Sequence, residues 1–188
     1  MGGQRAVARP RRLGARRRGI VHVYTGEGKG KTTAACGLAV RAAGQGLRVG
    51  FFQFFKPPMS GELRCLKKMP NVSVVSFLPF HLAFCRKRKP ATSLRDACAA
   101  AWQDACTRIA KGRFDLAVLD EVLIAVRDGL LTEEQVIALF AKKPARTELV
   151  LTGRGATARI LGAADIATEM RCVKHPYPRV AARRGIEY

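Results

Sequence analysis

Two short stretches of this chain carry side chains suited to holding a nucleoside triphosphate. The first is Thr25-Gly26-Glu27-Gly28-Lys29-Gly30-Lys31-Thr32-Thr33. Its glycines let the backbone turn tightly and aim N–H groups at an anion, and the helix expected to follow adds the positive end of its dipole. Lys31 offers a point charge to phosphate oxygens, and Thr32 offers a hydroxyl to a magnesium ion. The strict form of such a loop opens with glycine. Thr25 holds that position here, so the loop is a variant. Lys31 is read as part of an exposed loop, outside the core. The second stretch is Asp120-Glu121, directly after Leu116-Ala117-Val118-Leu119. An acidic pair at the carboxyl end of a buried strand suits Mg²⁺, which takes one or two carboxylates together with phosphate oxygens. The same pair would also suit the start of a helix. Together the stretches point to ATP-like chemistry with Mg²⁺ (or Mn²⁺), and they do not name a reaction.

Both stretches need a scaffold, and the pattern of apolar residues predicts one. Strands are expected at Ile20–Tyr24, Arg48–Phe54, Asn71–Phe77, Phe114–Asp120, Glu148–Leu151 and Ile166–Val173. Helices are expected at Lys31–Ala43, Thr92–Lys111, Thr132–Ala141 and Ala156–Gly162. Thr132 with Gln135 three residues later forms a capping-box signature. Such alternation makes βαβ units and an α/β fold, a mostly parallel sheet with helices on both faces. Ligands of such folds sit in the crevice at the carboxyl ends of the strands, where both stretches are expected to lie.

The 188 residues suit one domain, divided into a basic N-terminal arm at residues 1–18 and a folded domain at residues 19–188. The arm carries Arg5, Arg9, Arg11, Arg12, Arg16, Arg17 and Arg18 and no acid. The whole chain has 34 Lys and Arg against 14 Asp and Glu, a net charge of +20. That surplus attracts polyanions. A solvated basic surface serving an anionic small substrate is preferred here to a nucleic-acid partner. No apolar run reaches the roughly 18 residues of a membrane span, so no membrane partner is expected. The six cysteines form no CxxC pair, and no apolar stretch follows the arginines as in a secretory signal. Reduced thiols in a cytoplasmic protein are expected.

Further segments narrow the chemistry. They are Val49-Gly50-Phe51-Phe52-Gln53-Phe54-Phe55-Lys56 with Gly61-Glu62, then Leu151-Thr152-Gly153-Arg154-Gly155, then Val173-Lys174-His175 and the ending Gly185-Ile186-Glu187-Tyr188. With the phosphate loop, which has a second lysine at Lys29 and no first glycine, these resemble the corrinoid adenosyltransferases of the cobalamin-synthesis P-loop family from about Gly19 to Tyr188. The resemblance implies a P-loop, RecA-like sheet and a homodimer. It implies transfer of the 5′-deoxyadenosyl group of ATP to the Co(I) of a corrinoid, with triphosphate leaving whole and ATP reversed in its loop. Co(I) in turn implies a reductant or flavoprotein partner.

Carried over, the resemblance makes Lys31, Thr32 and Glu121 catalytic and Thr32, Asp120 and Glu121 metal ligands. Residues 25–33 (Thr25, Gly26, Glu27, Gly28, Lys29, Gly30, Lys31, Thr32 and Thr33) become the nucleotide cradle. Arg41 matches a family arginine that would meet phosphates or ribose, or else is a solvated helix residue. Arg154 would contact nucleotide or shape its own loop. The family's Gly-Phe-x-Trp segment, which displaces the lower axial ligand of cobalamin, is absent. Phe80 and Phe84 stand in that region, to fill the same role or to pack the core. His22, His81 and His175 are left out of catalysis. The rival readings are a nucleic-acid ATPase, a small-molecule kinase and a non-catalytic corrinoid or nucleotide chaperone.

Overall fold

The computed structural model describes residues 18–56, 60–78, 91–176 and 179–186. Six strands run parallel in the order β3-β2-β4-β5-β1-β6. They are β1 (Val21–Thr25), β2 (Val49–Phe54), β3 (Val72–Phe77), β4 (Leu116–Asp120), β5 (Glu148–Thr152) and β6 (Ile166–Glu169). The helices are α1 (Lys31–Gly44), α2 (Gly61–Leu66), α3 (Ala91–Lys111), α4 (Leu123–Arg127), α5 (Glu133–Lys142) and α6 (Ala158–Ala163).

Alternation within the central strands divides the core in two. Phe51, Val118 and Val150 face Ala35 and Ala39 of α1 and Leu63 of α2. Their neighbours Phe52, Leu119, Leu149 and Leu151 face the other way, toward Trp102 and Ile109 of α3, Val136 of α5 and Ile160 of α6. Because both faces are covered, β2 and β4 are buried at every position. Near-continuous apolar runs are the signature of such strands.

Two helices escape the sequence pattern. α2 and α4 have only six and five residues, too short to show a 3.6-residue period. The capping box is present: the Gln135 N–H donates to Thr132 Oγ1, and the Thr132 N–H donates to the Gln135 side chain. The last strand is shorter than expected. It stops at Glu169, because the following residues leave the sheet to cross the phosphate loop.

Register sets the site. Gln53 lies opposite Asp120 across β2 and β4, and Leu119 lies opposite Leu151 across β4 and β5. Gln53, Asp120 and Thr152 therefore stand side by side at the carboxyl edge of the sheet, next to the loop that leaves β1.

Candidate active site

The loop after β1 turns through left-handed backbone at Gly26 (φ 97°) and Gly30 (φ 116°). Glycine is the residue that adopts this region without strain. A second constraint comes from the C-terminal chain, which lies across the loop. The Met170 N–H donates to Thr25 O, and the Gly28 N–H donates 2.6 Å to Met170 O. A β-carbon on Gly28 would lie 2.6 Å from the carbonyl oxygens of Met170 and Arg171, closer than atoms can sit. One donor of the anion cradle is thus held by the protein's own chain.

Lys31 is buried, not exposed as the loop pattern predicts: its relative exposure is 7%. Its ammonium folds back onto the loop, donating to Gly26 O at 2.6 Å and Gly28 O at 2.7 Å. Burial holds its pKa below the ordinary lysine range, against the pull of Glu121. A phosphate in the loop would relieve that burial cost by pairing the charge.

Asp120 is fully buried, with both carboxylate oxygens engaged. Thr32 Oγ1 and Thr152 Oγ1 donate to Oδ1 at 2.9 and 2.7 Å, and Gln53 Nε2 lies 3.4 Å from Oδ2. Glu121 follows with φ 65°, a left-handed turn outside glycine's usual monopoly, and its N–H donates to Thr152 Oγ1. Such backbone costs about 1–3 kcal/mol and persists where the surroundings impose it. Lys56 completes the cluster. Its ammonium lies 2.6 Å from Thr32 Oγ1, 3.1 Å from Asp120 Oδ2 and 3.2 Å from Glu121 Oε2. Burial alone would lower its pKa, but the two carboxylates outweigh it and hold the pKa above the ordinary lysine value.

The donors around that ammonium are all oxygens, two carboxylates and a hydroxyl, and they already coordinate a cation. This set fits a hard divalent ion that fills its remaining positions with phosphate and water. Among the described residues no three His, Cys, Asp or Glu side chains converge as a metal cage.

These groups open into a cleft of ≈ 1250 Å³. Residues 27–33 of the loop line it, with Cys36, Lys56, Glu121 and Arg154. Thr25 is buried beneath the loop, where its Oγ1 accepts from the Ala156 N–H. Arg154 pairs with Glu27 at 2.9 Å across the mouth. Arg41 is not brought to the cleft. It is exposed in the last turn of α1, ten residues and roughly 15 Å along the helix from Lys31. There its charge acts on Tyr24, whose pKa burial raises and Arg41 opposes. Phe80 and Phe84 lie outside the described residues. Cys172, His175 and Ile186 of the C-terminal chain do line the cleft, as does Lys56; sequence reasoning weighed only His175 among them, for the active site or the dimer, and left it out of catalysis.

Residues 17–188 match the family described as ATP:corrinoid adenosyltransferase BtuR/CobO/CobP. The chain is 38% identical over 172 residues to the corrinoid adenosyltransferase CobA of Salmonella typhimurium, covering 91% of this chain and 86% of that one. It is 36% identical over 173 residues to a corrinoid adenosyltransferase of Pseudomonas aeruginosa, covering 91% and 84%. This chain belongs to that family. An adenosyltransferase must bind a triphosphate, and the loop, the buried lysine and the acidic cluster form one continuous wall able to do so. No helix among the described residues is long and apolar enough to cross a membrane.

Proposed function

We propose that this transferase moves the 5′-deoxyadenosyl group of ATP to the Co(I) of a corrinoid in adenosylcobalamin synthesis or salvage. The observation that carries the proposal is that Lys31, Thr32 and Glu121 line one cleft, with Asp120 buried behind them and bonded to Thr32. The cobalt electron pair forms a bond to the 5′-carbon, the carbon–oxygen bond breaks, and its electrons leave with triphosphate. The nucleophile is the substrate metal, so the protein need not supply a base. Its task is to hold the reacting atoms in line and to stabilise charge on the leaving group.

The loop amides, Lys29 and Lys31 surround the triphosphate, with the γ-phosphate deep in the loop and the 5′-carbon facing the corrinoid. Thr32, Asp120 and Glu121 hold a magnesium or manganese ion, which supplies positive charge to the phosphate oxygens when bound. Glu121 belongs to that ion and not to water activation. Arg154 contacts the nucleotide once Glu27 releases it. Arg41, far from the loop, has no contact in the cleft of a single chain.

A homodimer, a cytoplasmic setting and an external reductant for Co(II) complete the reading. Support for the dimer comes from β6, which is exposed along its length at the sheet edge, and from exposed Val173 and Ile186 beyond it. Support for a reducing compartment comes from five free cysteines among the described residues.

The deciding experiment supplies ATP, Mg²⁺ and chemically reduced corrinoid and identifies the phosphate product. Inorganic triphosphate with an adenosylated corrinoid is expected. ADP would mark an ATPase or kinase instead, and no product at all would mark a carrier.

A further inference from the structure

Lys56 sits where a metal ion would be expected. Three oxygens from three elements surround its ammonium: Thr32 Oγ1 from α1, Asp120 Oδ2 from β4 and Glu121 Oε2 from the turn after β4. The chain is shaped to put it there. Phe55, buried between β2 and Lys56, adopts φ 52°. A bulky residue in the left-handed region is a genuine outlier, and here it turns the backbone so that Lys56 points back into the acidic cluster. Without a cation, Asp120 and Glu121 would stand as adjacent, largely buried carboxylates, which repel each other.

A magnesium ion needs oxygens at about 2.0–2.1 Å and so must hold the same three atoms more tightly than the ammonium does. The two cations cannot share them. On the reading of Thr32, Asp120 and Glu121 as the metal site, we infer that Lys56 is a resident counter-ion that is exchanged for the divalent ion as the nucleotide enters. The ammonium keeps the empty site charged and ordered. It also makes free metal compete with a tethered cation, so the ion enters together with the triphosphate. Once displaced, Lys56 remains at the cleft wall, with the triphosphate as the nearest new counter-charge.

The test is Mn²⁺ binding followed by electron paramagnetic resonance, with thermal melting as a second readout. Nucleotide-free wild type should bind Mn²⁺ weakly, and added ATP should tighten binding. Lys56→Met should tighten nucleotide-free Mn²⁺ binding by about tenfold or more. It should melt lower than wild type without metal and regain much of that loss with Mn²⁺, whereas nucleotide-free wild type should hardly respond. Lys56→Arg, which keeps the charge, should behave as wild type. Lys56→Gln replaces Lys56→Met should the latter fail to fold. The inference is overturned if a folded neutral variant binds nucleotide-free Mn²⁺ no better than wild type, or if wild type binds it as tightly without ATP as with it. The metal assignment beneath it fails separately, if Glu121→Gln leaves Mn²⁺ binding in the presence of ATP unchanged.

Discussion

At the amino ends of the strands, titratable side chains are tied to groups that never leave. His22 Nε2 lies 2.7 Å from Glu148 Oε1, and Glu148 Oε2 accepts the Ile20 N–H. Asp165 accepts the Val21 N–H, and Lys143 donates to Gly19 O and Thr147 O. At the carboxyl ends of the same strands, charge is tied to groups that a ligand would replace under the proposed function. Lys31 rests on loop carbonyls and Lys56 on the acidic cluster. The charged groups at both ends find partners, although Gln53 Oε1 at the carboxyl end is buried without one. One end fastens β1, β5 and β6 together. The other holds its charges in readiness, so removing a group should cost stability at the first end and chemistry at the second.

That contrast is most severely tested at Lys31. Lys31→Ala should lower the transfer rate by about 10²–10³ by removing one preorganised charge from the leaving group. The melting temperature should hold or rise, because the lysine is already disfavoured by burial. Turnover near wild type would remove the loop from the chemistry. Glu121→Gln should raise the Mg²⁺ concentration needed for half-maximal activity by about tenfold or more, since even outer partners of metal ligands matter on that scale. An activity titration with Mg²⁺ reads it, and an unchanged requirement would make Glu121 structural.

Glu148→Ala should do the reverse. Leaving the Ile20 N–H without its acceptor costs about 1–3 kcal/mol, seen as a midpoint shift in urea, while kcat of the folded enzyme stays the same. A loss of kcat at constant stability would erase the distinction between the two ends. Gly28→Ala joins both behaviours, because its β-carbon must push the Met170–Arg171 chain off the loop. It should cost about 1–3 kcal/mol and weaken ATP binding as well.

The smallest effect is chemical labelling of thiols. Burial pushes the Cys36 and Cys98 thiols up to about 12 and Cys106 to about 11. The thiolate is the reactive form, so at pH 8 iodoacetamide should modify exposed Cys65 and Cys172 and spare those three. ATP should slow Cys172, which lines the cleft, and leave Cys65 unchanged. Mass spectrometry of the alkylated peptides gives the answer.

The sequence displays the phosphate loop and Asp120-Glu121 openly because each is a continuous run beside a strand, so local chemistry and local structure coincide. Lys56 is legible only as a letter in a resembling segment. Its role depends on β2 pairing with β4 across 67 residues of chain and on the left-handed turn at Phe55, neither of which a local pattern specifies. The error at β6 has the same origin. Apolar residues continue toward Val173, but the chain leaves the sheet after Glu169 because Met170 bonds to the loop. Lys31 reads as exposed because lysine usually is, and its burial becomes visible only when the carbonyls of Gly26 and Gly28 are in place.

β1, the strand that launches the phosphate loop, has no partner near it in the chain. Val21 lies opposite Leu149, and His22 lies opposite Ile166, separations of 128 and 144 residues. Loop closure over such distances comes late in folding, so a high contact order slows the whole process. On the ribosome, β1 emerges long before β5 and β6 and waits for them before either of its edges is covered. A polypeptide halted in mid-synthesis would therefore carry every residue of the phosphate loop yet have no assembled loop to offer a nucleotide. The exposed edges of that waiting strand would be what a chaperone meets first.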